Sequence, residues 1–298
     1  MAKVDVLIPA YNAAKYLPAA IESVLAQTFE DWQIVLVDDG STDNTSEVIA
    51  PYLQSHGAKI RYIRQQNRGL PAARNAGILA SNSELLALLD ADDVWLPCRL
   101  QESVEMMAER PAAGLSYGLV THIDPDNCIG STWEGNAGKD AQGHIAPQIY
   151  MRTINLPCPT VTFRRTCVDQ VGLFDETMRA TEDRDLWLRI ALRYEAAFIP
   201  KVLAYYRVSA SSMSGDPERM LRAQLQFIQK HYGSPGCGFL ARQAALARAY
   251  KHRAEALKSR GKPAEALASA MRAVALYPLA PAYLRTAGSL LMNWLRSR

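Results

Sequence analysis

The chain has no GxGxxG fingerprint, no GxxxxGK[ST] loop and no CxxC pair. It also has no apolar run near the roughly 20 residues a helix needs to cross a bilayer. The first two absences remove the Gly-rich phosphate cradles of dinucleotide and P-loop sites. The cysteines Cys98, Cys128, Cys158, Cys167 and Cys237 are odd in number and poorly spaced for metal. Reduced thiols fit them better than a disulfide framework or a zinc site. Met1-Ala2-Lys3-Val4-Asp5 runs straight into a strand pattern, so no secretory signal is expected and a cytoplasmic location is.

With 298 residues, 49% hydrophobic and 21% charged, the composition is that of an ordinary globular protein with one large core or two smaller ones. The net charge of +3 is unevenly spread. Gly238 to Arg298 holds 11 Lys and Arg against 2 Asp and Glu, a local +9 that leaves −6 elsewhere. Two parts with different tasks are implied, and nucleic acid is not expected as a partner of the larger.

From residue 1 to about 110 strand and helix patterns alternate. Val4 to Ile8, Ile34 to Val37, Ile60 to Ile63 and Leu85 to Leu89 read as strands, the first stopped by Pro9. Ala14 to Gln27, Thr45 to Ser55 and Pro71 to Ser81 read as helices, with Ser41 or Asp43 available to cap the second. This order predicts a parallel sheet with right-handed crossovers. Ligand-binding loops then gather at the strands' carboxyl ends.

Those ends carry Pro9-Ala10-Tyr11-Asn12, Asp38-Asp39-Gly40-Ser41, Asn67-Arg68-Gly69 leading to Arg74-Asn75, and Asp90-Ala91-Asp92-Asp93. Each has a plainer reading: a turn, a solvated helix face, or a helix N-terminus that welcomes carboxylates. Four such readings in a row are less economical than one shared site. Three clustered carboxylates repel one another unless a cation lies among them, so a divalent ion carrying a phosphorylated substrate is the leading explanation.

The ordered set resembles family-2 nucleotide-sugar glycosyltransferases of the GT-A fold. The resemblance continues through Pro157-Cys158-Pro159-Thr160, Val171-Gly172-Leu173-Phe174-Asp175 and Thr181-Glu182-Asp183-Arg184-Asp185-Leu186-Trp187, and covers roughly residues 3 to 210. It implies an α/β, GT-A type (Rossmann-like), mostly parallel sheet flanked by helices. It also implies inverting transfer from a nucleotide diphosphate sugar, with UDP favoured, to a glycan or lipid-linked acceptor. Asp92 would bind Mg²⁺ or Mn²⁺ directly, with Asp93 helping. Asp90, Ala91, Asn67, Gly69, Arg74 and Arg207 would face the donor. Asp39 would read the base, and Pro9, Ala10, Tyr11 and Asn12 would line its pocket. Asp183 would be the base that deprotonates the acceptor, with Glu182 beside it, while Asp185 and Trp187 would be structural.

Two departures stand out. Where many relatives place a histidine after a Tyr-Arg pair, Tyr206-Arg207-Val208 is followed by Ser209. Water or Ser209 would then fill that position, or Arg207 would hold the diphosphate. The QxxRW element of processive synthases is missing, which favours single transfers. A catalytically silent sugar-nucleotide binder, or an interaction protein on the same fold, is the alternative reading.

The expected division is 1–215 for the catalytic domain, with 1–110 binding nucleotide and 111–215 binding acceptor, and 216–298 for a basic helical region. Ser131 to Gly143 suggests a long exposed loop, in which Trp133 is a packing anchor or a sugar platform. Ala254 to Ala273 resembles one tetratricopeptide-type hairpin, which needs neighbours to bury its faces. It could be an appendage packed on the catalytic domain or serve as a homodimer contact. Ala282 to Arg298 mixes Leu284, Leu291, Met292 and Trp294 with arginines. Such a helix could dock on protein or rest on the inner face of the plasma membrane.

Overall fold

A computed structural model describes residues 2–133, 141–178, 180–208, 216–278 and 280–296. The chain divides into two compact units: Met1–Ile145 with Asn155–Ser209, and Ala146–Ile154 with Ala210–Arg298.

The first unit begins β1 (Val4–Ala10), α1 (Leu17–Leu25), β2 (Trp32–Asp38), α2 (Thr45–His56), β3 (Ile60–Arg64), α3 (Leu70–Ala80) and β4 (Leu85–Leu88). β5 (Val94–Trp95), α4 (Arg99–Glu109), β6 (Ala113–Ile123) and β7 (Ile129–Trp133) follow. Ser131 to Trp133 therefore belongs to a strand, not a loop; residues 134–140 and the Trp133 side chain lie outside the described residues. After α5 (Ala146–Met151), which belongs to the other unit, come β8 (Thr162–Arg164), α6 (Arg165–Val171), α7 (Glu182–Ala191) and β9 (Glu195–Arg207).

Among the described residues these strands form one sheet in the order β3-β2-β1-β4-β8-β6-β9-β5, with β7 on β6. The half from β3 to β4 is parallel. In the other half β8 runs antiparallel to both β4 and β6, while β6 and β9 are parallel.

All seven residues of β1 are buried because helices cover both faces of the sheet. Val4, Val6 and Ile8 pack with Leu17, Ile21 and Val24 of α1, with Ile49 of α2 and with Leu100 and Val104 of α4 in one core. On the opposite face Gly77 of α3 brings its helix close to Leu7 and Val37.

β1 continues through Pro9 to Ala10, two residues past the expected stop. The Leu7 carbonyl faces β4, accepting from the Leu89 N–H, and the Ala10 carbonyl faces the β2 side, accepting from the Asp39 N–H. By alternation Pro9 faces the β4 side, beyond the last paired residue of β4. Its missing N–H therefore leaves no gap in the ladder.

The second unit comprises α5, α8 (Pro217–Lys230), α9 (Phe239–Ser259), α10 (Pro263–Leu276) and α11 (Pro281–Arg296). Asp216 caps α8 by accepting the Glu218 and Arg219 N–H groups. Ala254 and Leu257 of α9 pack with Ala266 and Ala270 of α10, and α11 adds Ala287 and Leu290 to that core. The α9–α10 hairpin is thus covered by a third helix. The side chains of residues 292–296 lie outside the described residues.

Gly40, directly after β2, has φ +76°, and a Cβ there would lie 2.8 Å from the Asn67 backbone nitrogen. Gly40→Ala is expected to cost about 1–3 kcal/mol and to lower the melting temperature in a thermal scan. An unchanged melt would mean that the two loops separate freely.

Candidate active site

Hydrogen bonds between successive loops draw the carboxyl ends of β1 to β4 together. Asn12, in the left-handed region at φ 49°, accepts at Oδ1 from the Thr42 N–H at 2.8 Å. Its own N–H donates to Ser41 Oγ at 3.0 Å. The Ala13 N–H reaches Thr45 Oγ1, and the Ala14 N–H reaches Asp43 Oδ2. Ser41 is therefore not a helix cap: its hydroxyl belongs to the neighbouring loop, and Asn44 sits at the start of α2.

Asp39 is buried and accepts from Gln65 Nε2, the Arg68 N–H and the Gly69 N–H at 2.7, 3.0 and 2.7 Å. It fixes the loop that starts α3. Three donors on two oxygens leave one of roughly four lone-pair positions. Pro9 and Ala10 are buried at the end of β1, whereas Tyr11 is 52% exposed and Asn67 is also exposed.

The turn after β4 separates its three acids. Asp90 Oδ1 is 2.7 Å from Arg74 Nη2. Asp92 faces solvent, while Ala91 and Asp93 are buried. Asp93 Oδ1 accepts the Arg207 N–H at 2.8 Å, and its Oδ2 is a buried oxygen without a hydrogen-bond partner. Burial, then the charges of Asp92 and Asp90, push the Asp93 carboxyl well above the usual carboxylate range. Burial and the Asp90 charge push Asp92 up to about 6.

Arg207 spans this turn and the β6–β7 connection. Its Nε donates to the Asp92 carbonyl, Nη1 to the Asp124 carbonyl and Nη2 to Asn127 Oδ1, at 2.8, 2.8 and 2.9 Å. Its guanidinium also lies 4.5 Å from the centroid of the Tyr16 ring. All three nitrogens are engaged in holding loops. Ser209 lies outside the described residues.

Arg74 on α3 joins the acidic turn to the start of α7. Only 2% exposed, it donates from Nη1 to Glu182 Oε1 at 2.9 Å, and from Nη2 to Asp90 Oδ1 and to Cys158 Sγ at 3.2 Å. Glu182 Oε2 is buried without a partner. Burial outweighs the Arg74 attraction and pushes Glu182 up to about 7. Asp183 is partly open to the surface but crowded by protein, and burial raises its carboxyl above the ordinary value despite Arg74. Asp185 is buried and paired with Arg189 at 2.8 Å, and Trp187 packs between Phe163 and Phe174.

Sequence reasoning missed Arg99. It is fully buried at the start of α4, 4.1 Å from the Trp95 ring centroid, and donates to the Pro159 and Val161 carbonyls and to Thr162 Oγ1. Trp95 Nε1 also donates to the Pro159 carbonyl. This pair anchors the segment that brings Cys158 to Arg74. Its signal was faint, since an arginine in a helix's first turn reads as solvated. Without a carboxylate partner, burial pulls the Arg99 guanidinium down to about 9.

Among the described residues no group of three or more His, Cys, Asp and Glu side chains is gathered as a metal cage. The site does offer hard oxygen donors: a solvent-facing Asp92, with Asp90 and Asp93 repelling it. That suits a cation that takes its remaining ligands from phosphates and water.

A sheet of this topology with an acidic turn after its fourth strand defines a GT-A type glycosyltransferase. The chain belongs to glycosyl transferase family 2, whose profile matches residues 5–166. It is 34% identical over 246 residues to the uncharacterized glycosyltransferase alr2836 of Nostoc sp., covering 77% of this chain and 74% of that one. It is 27% identical over 240 residues to WfgD of Escherichia coli, covering 78% and 87%. WfgD is named a UDP-Glc:alpha-D-GlcNAc-diphosphoundecaprenol beta-1,3-glucosyltransferase. The fold is shared with S. aureus TarS 1–349 in complex with UDP-GlcNAc (TM-score 0.66, 17% identity, 92% of this chain and 81% of that one). It is also shared with the mannosyltransferase PcManGT of Pyrobaculum calidifontis in complex with GDP-Man and Mn²⁺ (TM-score 0.65, 19% identity, 97% and 85%).

Arg99→Met removes the buried hydrogen bonds to the Pro159 and Val161 carbonyls and to Thr162 Oγ1, at a cost of about 2–4 kcal/mol; chemical denaturation would read it, and Arg99→Lys should recover part of the loss. Glu182, raised from 4.5 to about 7, favours folding when protonated. Its contribution is complete below the unfolded value and disappears as pH rises through the folded one. Between about pH 5 and 8 the native melting temperature should fall, and Glu182→Gln should flatten that slope. Equal slopes in the two proteins would remove Glu182 from the account.

Proposed function

We propose that this glycosyltransferase moves a sugar, with inversion, from a nucleotide diphosphate sugar to a hydroxyl of a glycan or lipid-linked acceptor, in cell-surface polysaccharide or glycoconjugate synthesis. The observation that carries the reading is the buried Arg74, bonded at once to Asp90 of the acidic turn and to Glu182 at the head of α7. A donor-side group and an acceptor-side group are thereby held at one guanidinium.

The nucleotide would lie across the ends of β1 and β2, with Pro9, Ala10, Asn12 and the exposed Tyr11 ring along the base, and Asp39 offering its remaining lone pair to a uracil-type N–H. Asn67 and Gly69 would border the pyrophosphate. Mg²⁺ or Mn²⁺, when bound, would supply positive charge against the departing diphosphate. Asp92 would hold it as the solvent-facing ligand, with Asp93 closed beneath and Asp90 and Ala91 shaping the turn. Arg207 orients that turn through its backbone contacts, and is not needed as a phosphate ligand.

The acceptor hydroxyl must lose a proton as it attacks. Asp183 is our choice for that base, with Glu182 next to it. Their raised affinity for protons suits a group that accepts one near neutral pH. UDP-sugars as donors and a lipid-linked acceptor are supported by the name of WfgD. The acceptor class would bring the chain to the inner face of the plasma membrane, where α11 presents Leu284 and Leu291 outward beside Arg285.

Asp183→Asn is expected to fold, to bind donor and to lose at least about 100-fold in transfer. Product formation from a panel of sugar nucleotides with Mn²⁺, beside calorimetric titration of UDP and GDP, checks this. Near-normal turnover would dismiss Asp183 as the base, and equal affinity for both nucleotides would dismiss the UDP preference.

A further inference from the structure

We propose that the turn joining α8 to α9 is a tip that inserts into the surface of an anionic lipid bilayer. Tyr232, Phe239 and Leu240 stand there 47%, 61% and 74% exposed, within nine residues of one another. Bulky apolar groups clustered at a turn lose solubility and need an apolar partner to offset it.

The tip is built and does not hang loose. Gly233 and Gly236 adopt φ +91° and +75°. The Gly233 N–H donates to the Cys237 carbonyl, the Cys237 N–H to the Ser234 carbonyl and the Ser234 N–H to the His231 carbonyl. Cys237 is fully buried beneath the turn. Gly236 sits so close to Pro147 of α5 that a Cβ would lie 2.5 Å from its Cγ. Tyr150 of the same helix donates its hydroxyl to the Ile228 carbonyl and packs on Phe227. With its base anchored, the three apolar side chains are held outward.

Charge selects the partner. From Arg219 to Ala254 the chain has seven Lys and Arg and no Asp or Glu. Arg253 and Lys251 are paired with Glu218 and Glu255 just outside that stretch. Arg242 lies 5.3 Å from the Tyr232 ring centroid, and Lys230 is exposed at the end of α8. Aromatic and aliphatic groups flanked by Arg242 and Lys230, on a unit rich in Lys and Arg, match the interface of a bilayer with anionic headgroups. A second copy matches less well: the unit carries 15 Lys and Arg against 4 Asp and Glu, and two such faces repel.

The inference deepens the lipid-linked acceptor reading and rests on it for its setting, but its test reads lipid binding alone. Full-length protein is mixed with phosphatidylcholine vesicles containing roughly 30% phosphatidylglycerol, or with phosphatidylcholine alone, and floated on a gradient at low and high salt. Native protein should float with the anionic vesicles, weakly with neutral ones, and less at high salt. The double variant Phe239→Ser/Leu240→Ser, confined to exposed positions, should keep its melt and lose at least about fivefold of the bound fraction. Equal flotation of variant and native protein, or no flotation of the native protein, overturns the proposal. So does a concentration-dependent dimer, seen by light scattering, that the double variant abolishes. Transfer to a lipid-linked acceptor in detergent without flotation would sink this inference and leave the acceptor reading standing.

Discussion

The arrangement depends on one buried cation. Arg74 lies on a helix behind the sheet, yet its side chain meets Asp90, Glu182 and Cys158, which are far apart in sequence. A guanidinium can do this because its planar fork presents several donors in fixed directions and stays charged when buried. Removing it would leave carboxylates facing each other across a poorly hydrated gap, with their repulsion uncompensated. The acidic turn and the head of α7 are therefore not independent features that happen to be neighbours. They share one counter-ion, and the position of either constrains the other.

The same economy governs the acids themselves. Of the three carboxylates after β4, one is neutralised by Arg74, one is closed beneath a backbone N–H of β9, and one faces water. Two unmet demands remain, the buried Asp93 Oδ2 and the solvent-facing Asp92, and a ligand arriving from solvent meets Asp92 first. Asp39 illustrates the complementary case: a carboxylate with three donors is satisfied before any substrate arrives, and chiefly sets the loop that begins α3.

Much of the first four strands and three helices was legible because their periodicity is local, and the bounds agree within a few residues. The gathering of their loops followed from parallel topology. The second half of the sheet was not legible, since β8 and β6 join it by pairing across long separations that leave no short-range pattern. Arg74 and Asn75 read as a solvated face by composition, yet both are buried, because Glu182, Asp90 and the Phe174 backbone supply partners more than ten residues away. Arg99 escaped for a related reason: its partners are carbonyls, and carbonyls carry no sequence signature. Glu182 and Asp183 could be picked out only through the resemblance, as acids at a helix start are ordinary dipole partners.

Charge divides between the two units as sharply as secondary structure does. The first holds 18 Lys and Arg against 26 Asp and Glu, the second 15 against 4. A unit with an excess of acids is a poor host for a diphosphate unless a cation mediates, and its buried arginines are already engaged with carboxylates and carbonyls. The basic unit has the opposite character and would draw the chain toward any anionic surface. On the proposed reading both substrates are anionic, one a free nucleotide and the other an acceptor embedded among charged lipids. A single basic surface around the active site would attract both without distinguishing them. On that same reading, placing the positive charge on a separate helical unit and leaving the site to recruit its own cation would let surface attraction and donor recognition be set independently.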